Sequence, residues 1–269
     1  MVVKKKITLI PEQQTLLVPL YCKAAKNDLV LSDTKAQSIL QELDYDFHNL
    51  RIPQKTCTMM RLRAKQFDIY TREFLNRQPD GTVIHLGCGL DSRYFRINNG
   101  KVKWYDLDMP GVIEVRKMFY KETADYHMLD SSVTDTAWIN KISQNSCPVL
   151  ILAEGLFMYL TQLEVKELIL KLKQSFPGSR LIFDAFSTLT AGRMKAHPSI
   201  HKTGANVQWG IDDPKVIESW DSGIYLKEER YFSQFEDVKK LNMVNRLIYK
   251  LTEFIPAARR AHRILYYTL

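Results

Sequence analysis

The chain has 269 residues, of which 45% are hydrophobic and 25% charged, the make-up of a globular protein long enough for one α/β domain with additions. No apolar stretch is long enough to cross a bilayer, since the longest, residues 149–160, carries Glu154 in its middle. The formal charge is +8, but Lys and Arg are dispersed and never interleaved with stacking aromatics, so the basic balance describes a solvated surface and not a nucleic-acid partner.

Residues 1–78 read as a helical cap. Apolar residues at helical spacing (Leu16, Leu17, Leu20, Ala24) predict a first helix over Glu12 to Lys26, kinked at Pro19. Ser32-Asp33 offers an N-cap for a second, in which Ala36, Ile39, Leu40 and Leu43 share a face. A third spans Thr56 to Asn76, with Met59, Met60, Arg63, Phe67, Tyr70 and Phe74 at three- and four-residue steps. Gln78-Pro79-Asp80-Gly81 is a turn. Spacing leaves open whether this prefix is a packed flank or a lid.

From residue 79 to 187 the pattern is a cofactor-binding core of strand–helix alternation. Strands are predicted at 82–86, 102–107, 125–129, 148–153 and 180–186, and helices at 92–97, 110–122, 135–143 and 161–176. Pro110 suits a first helical turn, and Thr161 with Glu164 forms a capping box. Residues 188–223 lose periodicity and read as an insertion after strand 5 that serves as a substrate lid. Residues 224–269 return to the sheet, with a helix around Phe235 to Leu247 and a final strand from Arg263 to Leu269. The fold class is therefore α/β, a doubly wound, mostly parallel seven-stranded sheet with a helical cap.

The first strand enters Gly87-Cys88-Gly89, and the second ends in Asp106-Leu107-Asp108, which places Asp108 19 residues after Gly89. Glycines let the backbone turn sharply and approach a ligand, and an acid closing the next strand can accept from ribose hydroxyls. The third glycine of a dinucleotide fingerprint is replaced by Ser92, and Asp91 would repel a phosphate. A phosphate-free nucleoside cofactor carrying positive charge fits better, namely S-adenosylmethionine. A nicotinamide-dependent oxidoreductase and a non-catalytic cofactor-binding protein are the competing readings. Glu154 interrupts an apolar strand end and requires a positive or hydrogen-bonding partner there.

The run Leu86-Gly87-Cys88-Gly89-Leu90-Asp91-Ser92-Arg93 resembles the "LGxGxDTxxxRL" signature of the leucine carboxyl methyltransferase family, which includes bacterial polyketide O-methyltransferase-like members. Tyr105-Asp106-Leu107-Asp108-Met109-Pro110 is similar to its "EVDxP" segment, and Ala153-Glu154-Gly155-Leu156-Phe157-Met158-Tyr159-Leu160 to its "AEGvlmYL" segment. The resemblance implies that Arg63 binds the methionyl carboxylate, Gly87 and Gly89 pass the methionine portion, and Asp108 holds the ribose diol in preference to Asp106. It gives Glu154 the cofactor's amino group, with a salt bridge to a helix lysine as the structural alternative. In Asp130-Ser131-Ser132-Val133-Thr134-Asp135 the family's adenine-reading Asp is replaced by Ser132. Either Asp130 substitutes from upstream or Ser132 with the Val133 backbone does the work.

The implied activity is O-methylation of a carboxylate or hydroxyl on a small molecule or a protein C-terminus. No catalytic base is assigned. His197 and His201 lie four apart in the insertion, but Pro198 disfavours a helix, so no metal site is expected; Tyr159, Trp209, Asp212 and Asp213 are equal candidates for the pocket. Cys22, Cys57, Cys88 and Cys147 form no CxxC pair, and Lys4-Lys5-Lys6 precedes no apolar signal core. A cytoplasmic protein without a disulfide framework is expected, with a small-molecule acceptor, no membrane partner and an open oligomeric state.

Overall fold

The computed structural model describes residues 4–7, 16–25, 29–143, 147–195 and 206–269. Three helices precede the sheet: α1 (Leu17–Lys23), α2 (Thr34–Glu42) and α3 (Gln54–Arg77). Asp33 caps α2 by accepting from the Ala36 N–H at 2.9 Å, as its residue type dictates. Pro19 falls in the first turn of the short α1, where a missing N–H leaves no helical bond unmade, so it starts the helix instead of kinking it.

The alternating region folds as β1 (Thr82–Leu86), α4 (Arg93–Ile97), β2 (Lys103–Asp108), α5 (Pro110–Lys117), β3 (Tyr126–Asp130), β4 (Val149–Ala153), α6 (Gln162–Ser175) and β5 (Arg180–Phe186). Then follow α7 (Thr188–Lys195), β6 (Tyr225–Tyr231), α8 (Met243–Glu253), α9 (Pro256–Arg259) and β7 (His262–Thr268). The sheet has seven strands in the order β3-β2-β1-β4-β5-β7-β6. β1 to β5 are parallel, and β7 runs antiparallel to both β5 and β6.

Alternation along the strands feeds two separate cores. Val83, Trp104, Leu150 and Ile182 point to one face, where Leu62, Phe67 and Phe74 of α3 cover them. Ile84, Tyr105, Ile151 and Leu181 point to the other, under Val165, Leu168 and Ile169 of α6. Both faces being covered explains why these strands read as continuous apolar runs. The N-terminal helices are thus a packed layer on the sheet.

Five further expectations are corrected. The helix expected over 110–122 ends at Lys117, and that over 135–143 is a 3-10 turn, Thr136–Lys141. The late helix begins after Asn242, whose side chain accepts from the Asn245 N–H at 2.9 Å, and residues 236–240 form a separate 3-10 turn. The start of the supposed irregular insertion is the helix α7, while residues 196–205, with His197 and His201, lie outside the described residues. Finally, Cys22 of α1 and Cys57 of α3 are joined in a disulfide, with their Cα atoms 4.6 Å apart and a separation of 35 positions in the chain. Their pairing follows from the packing of two helices and has no spacing signal.

Candidate functional site

The sheet register assembles the site. Leu86 of β1 lies opposite Leu107 of β2 and Ala153 of β4, so the next residues, Gly87, Asp108 and Glu154, leave three adjacent strands side by side. This is the carboxyl edge at the point where strand order reverses, between β1 and β4, the place where open α/β sheets bind ligands. Asp130, closing β3, pairs in register with Asp108.

Gly87 and Gly89 hold left-handed backbones, φ +62° and +51°. A Cβ on Gly87 would stand 3.0 Å from the Leu156 side chain, and one on Gly89 3.2 Å from Leu16. Both the conformation and the space require glycine. The Gly89 N–H donates to Asp108 Oδ2 at 2.7 Å, and the Met109 N–H to Oδ1 at 2.8 Å. Burial raises the Asp108 carboxyl above its ordinary value, and these two bonds partly counter the rise. Asp108 is half-buried at the strand end. Asp106, on the same face, is sealed in the core: Trp104 Nε1 donates to it at 2.8 Å, Tyr126 Oη at 2.7 Å, and the Arg116 guanidinium closes on it. Every lone pair it could offer a ribose already serves the protein.

Beyond the glycine turn lies a buried ion network. Arg63 Nε donates to Glu154 Oε1 at 3.0 Å and Nη1 to Asp184 Oδ2 at 2.9 Å. Arg93 donates to Glu154 and, through Nε, to Asp68 at 2.8 Å. Lys23 donates to Asp91 at 2.6 Å and stands 4.0 Å from Glu154. Arg96 joins Asp33 at 2.6 Å, Asp68 at 2.9 Å and Asp91 at 3.1 Å. Asp184 also accepts from the Gly155 N–H at 2.5 Å and meets His262 Nε2 at 2.6 Å.

Desolvation works against the charges of Arg63, Asp91, Arg93, Arg96, Glu154 and Asp184. The facing ions outweigh it, holding the Glu154 carboxyl down to about 2 and Asp91 and Asp184 well below the carboxylate range. The same partners hold the Arg63 and Arg93 guanidinium groups charged against their burial. Burial also lowers His262, the Asp184 bond offsetting only part of that, so the imidazole is neutral at pH 7 and its Nε2–H donates. Among the described residues, four cations (Lys23, Arg63, Arg93, Arg96) then face five carboxylates (Asp33, Asp68, Asp91, Glu154, Asp184) in the connected network. One negative charge is left over. An S-adenosylmethionine, with a sulfonium and an ammonium against one carboxylate, carries one net positive charge. The donor set and the glycine cradle fit that molecule.

Of the residues singled out from sequence, Arg63, Gly87, Gly89, Asp108 and Glu154 converge. The partner of Glu154 is a pair of arginines from α3 and α4, with the lysine at longer range. On the adenine side, Asp130 is exposed, 3.7 Å from Lys141. Ser132 shares its hydroxyl with Thr134 at 2.8 Å, and Val133 is buried with its carbonyl accepting from Trp138 at 3.3 Å. Ser92, at the third-glycine position, is fully buried and donates to Asp33 at 2.5 Å.

Sequence reasoning missed Lys23, Arg93, Asp184 and His262. Asp184 carried the same signal as Glu154, a carboxylate inside an apolar strand, Leu181-Ile182-Phe183-Asp184-Ala185-Phe186. A cavity of about 440 Å³ is lined by Thr161, Gln162, Thr188, Ala191, Val207 and Trp209. Asp212 is not in it: it accepts from the Thr188 N–H at 3.0 Å and anchors the start of α7. Asp213 likewise caps a 3-10 turn through the Lys215 N–H at 2.9 Å. Among the described residues no group of His, Cys, Asp and Glu could hold a metal ion, and no helix is long and apolar enough to cross a membrane.

The strand order of this sheet and the relatives of the chain define a class I, S-adenosylmethionine-dependent methyltransferase. The chain belongs to the leucine carboxyl methyltransferase family, whose family model matches residues 14–173. It is 34% identical over 266 residues to the tetracenomycin polyketide synthesis O-methyltransferase TcmP of Streptomyces glaucescens, covering 97% of this chain and 98% of that one. It is 28% identical over 253 residues to the S-adenosyl-L-methionine-dependent methyltransferase dpfgK of Gibberella zeae, covering 85% of each. Among solved structures, a duf574 family protein from Streptomyces avermitilis superposes with a TM-score of 0.61 at 10% identity, covering 96% of this chain and 99% of that one. The N-methyltransferase NodS of Bradyrhizobium japonicum, solved with S-adenosyl-L-homocysteine, superposes at 0.50 and 14% identity, covering 88% and 98%. At such identities these likenesses show the fold. Nothing among these relatives supports the oxidoreductase or the non-catalytic reading.

Proposed function

We propose that this methyltransferase acts on oxygen, moving the methyl group to a carboxylate or hydroxyl of a small-molecule acceptor. The observation that carries the reading is the cradle formed where β1, β2 and β4 end, in a chain similar over nearly its whole length to a polyketide O-methyltransferase. Bound there, S-adenosylmethionine supplies an electrophilic methyl on a sulfonium. The chain's own residues hold and aim it. Arg63 binds the methionyl carboxylate, Glu154 accepts from the ammonium, and Gly87 and Gly89 let backbone pass the methionine portion. Asp108 accepts from the ribose diol. The adenine lies toward Asp130, Ser132 and Val133. Fixing the sulfonium in line with the acceptor is the main catalytic contribution, since ordering the reactants replaces a bimolecular encounter.

The acceptor side in this reading is the cavity between Thr161 and Trp209, lined in part by Thr188 and Ala191 of α7. Its described lining is uncharged. His262, which meets the network at Asp184, is committed there. A carboxylate acceptor, already ionised at neutral pH, needs no base and suits such a wall. A cytoplasmic location belongs to the same proposal and implies that Cys22 and Cys57 are reduced in the cell.

Two measurements test this. Calorimetry with S-adenosylhomocysteine should show Asp108→Ala and Arg63→Ala each binding at least tenfold more weakly, about 1.4 kcal/mol; undiminished binding in both would sink the site assignment. Transfer of a labelled methyl group to aromatic acids and phenols should yield products, with alkali-labile label marking an ester. Label found only on nitrogen or sulfur would sink the O-methyl reading.

A further inference from the structure

The helix α8 (Met243–Glu253) has its apolar side turned the wrong way for a helix that serves only the fold. Met243, Val244, Leu247, Ile248, Leu251, Phe254 and Ile255 are all exposed, between 52% and 81%. At 100° per residue the five within the helix form one continuous stripe, and Phe254 and Ile255 follow directly at its end. The side facing the protein is the polar one, with Asn245, Tyr249 and Thr252 half-buried. Seven large side chains in one stripe amount to several hundred Å², at or above roughly 300–600 Å², the largest patch typical of a soluble monomer.

Charge around the stripe says what covers it. Glu236 is paired with Lys239, Asp237 with Lys240 and Glu253 with Arg259. Arg246, Lys250 and Arg260 carry no ion pair among the described residues, and Arg246 and Lys250 flank one edge of the stripe. In an antiparallel pairing of two copies that edge would meet itself, Arg246 and Lys250 against Arg246 and Lys250. The other edge, with Ile248 and Thr252, offers no carboxylate to a parallel pairing. Each side chain of the stripe is more than half exposed, so it is not walled in as a groove would be. An exposed apolar stripe with a cationic margin fits the headgroup–acyl boundary of an anionic bilayer, where the apolar face sinks and Lys and Arg meet lipid phosphates.

Topology gives the docking a use. β6 runs parallel to β5 because each is antiparallel to β7. The excursion between β6 and β7 that carries α8 therefore leaves the sheet at its carboxyl edge, the edge of the methyl-donor site. We propose that α8 is a peripheral membrane-docking helix that sets the methyl-donor edge against an anionic lipid surface, from which acceptors of low water solubility can be drawn. This revises the expectation of no membrane partner and is independent of which oxygen is methylated.

The test is co-sedimentation of the full chain with phosphatidylcholine vesicles and with vesicles containing one quarter phosphatidylglycerol. The wild type should partition onto the anionic vesicles at least tenfold better than onto the neutral ones. Leu247→Gln/Leu251→Gln/Phe254→Gln should abolish binding, and Arg246→Gln/Lys250→Gln should erase the preference for anionic lipid. Both variants should keep the wild-type thermal shift with S-adenosylhomocysteine, which shows that fold and donor site are intact. Wild-type protein left in the supernatant with both vesicles would overturn the proposal. So would a dimer in light scattering that the triple variant splits, which would assign the stripe to a second copy.

Discussion

Replacing Arg63 by alanine tests the ion network itself, apart from its ligand. The side chain makes charge-assisted bonds to Glu154 at 3.0 Å and Asp184 at 2.9 Å, and all three residues are buried. Removing one partner of a buried ion pair costs about 3–5 kcal/mol, because the other charge is stranded. Here neither carboxylate is wholly abandoned: Glu154 keeps Arg93, and Asp184 keeps the Gly155 N–H and His262. The loss should therefore fall near the lower bound, about 3 kcal/mol. At roughly 2–4 °C per kcal/mol for a domain of this size, Tm should drop by about 6–12 °C without ligand. The effect should depend on pH with a definite sign. In the wild type Asp184 is held low by Arg63, so its contribution is present above the unfolded carboxylate value and is lost as pH falls through the depressed one. In the variant Asp184 is freer to take up a proton, so the gap in Tm between the two proteins should narrow from pH 7 toward pH 4. Differential scanning fluorimetry across that range reads both effects. A ligand-free variant within 2 °C of wild type at pH 7 would refute the reasoning and leave Arg63 a binding residue only.

Other outcomes follow from the same geometry. Asp108→Asn should weaken S-adenosylhomocysteine binding at least tenfold while moving the ligand-free Tm by only a few degrees, since the amide oxygen can keep one of its two backbone bonds; calorimetry and fluorimetry together check this. His262 is lowered by burial, so its stabilisation is complete above the unfolded value of about 6.5 and is lost as pH falls below it. The unfolding free energy of His262→Gln should accordingly be flatter than wild type between pH 7 and 5, and parallel urea curves would contradict that. Reducing Cys22–Cys57 opens a 35-residue loop, worth roughly 3–4 kcal/mol in a chain-entropy account. Dithiothreitol should lower the Tm of the wild type and leave Cys22→Ser/Cys57→Ser unmoved.

Much of the fold was legible because both faces of the sheet are covered. Continuous apolar runs broken by Gly87, Pro110 and Pro177-Gly178 mark β1 to β5 without ambiguity. β6 was hidden because it is an edge strand: Lys227, Glu228, Glu229 and Arg230 are half-solvated or exposed, and their polarity masks the extended backbone. In the site, residues attached to local rules were readable, such as the glycines of the turn and the strand-end Asp108. Lys23, Arg93 and His262 act by meeting carboxylates far along the chain, 68 residues away for Lys23 and Asp91 and 78 for His262 and Asp184. No local pattern encodes such meetings. Alternation gives Asp106 and Asp108 the same face, and no local pattern reveals that Trp104, Tyr126 and Arg116 enclose Asp106.

The strand order has a consequence for how the chain is made. β7 lies between β5 and β6, so β6, synthesised some thirty residues earlier, has no neighbour in the sheet until β7 emerges from the ribosome. The open edge of β5, which ends at Phe186, must wait more than twice as long. Domain halves usually mature in order of synthesis, but here one late strand seats two earlier ones at once, through long-range pairings that form slowly. A nascent chain stalled before His262 would hold an unpaired β5 edge and a dangling β6, the species most exposed to chaperones and to aggregation.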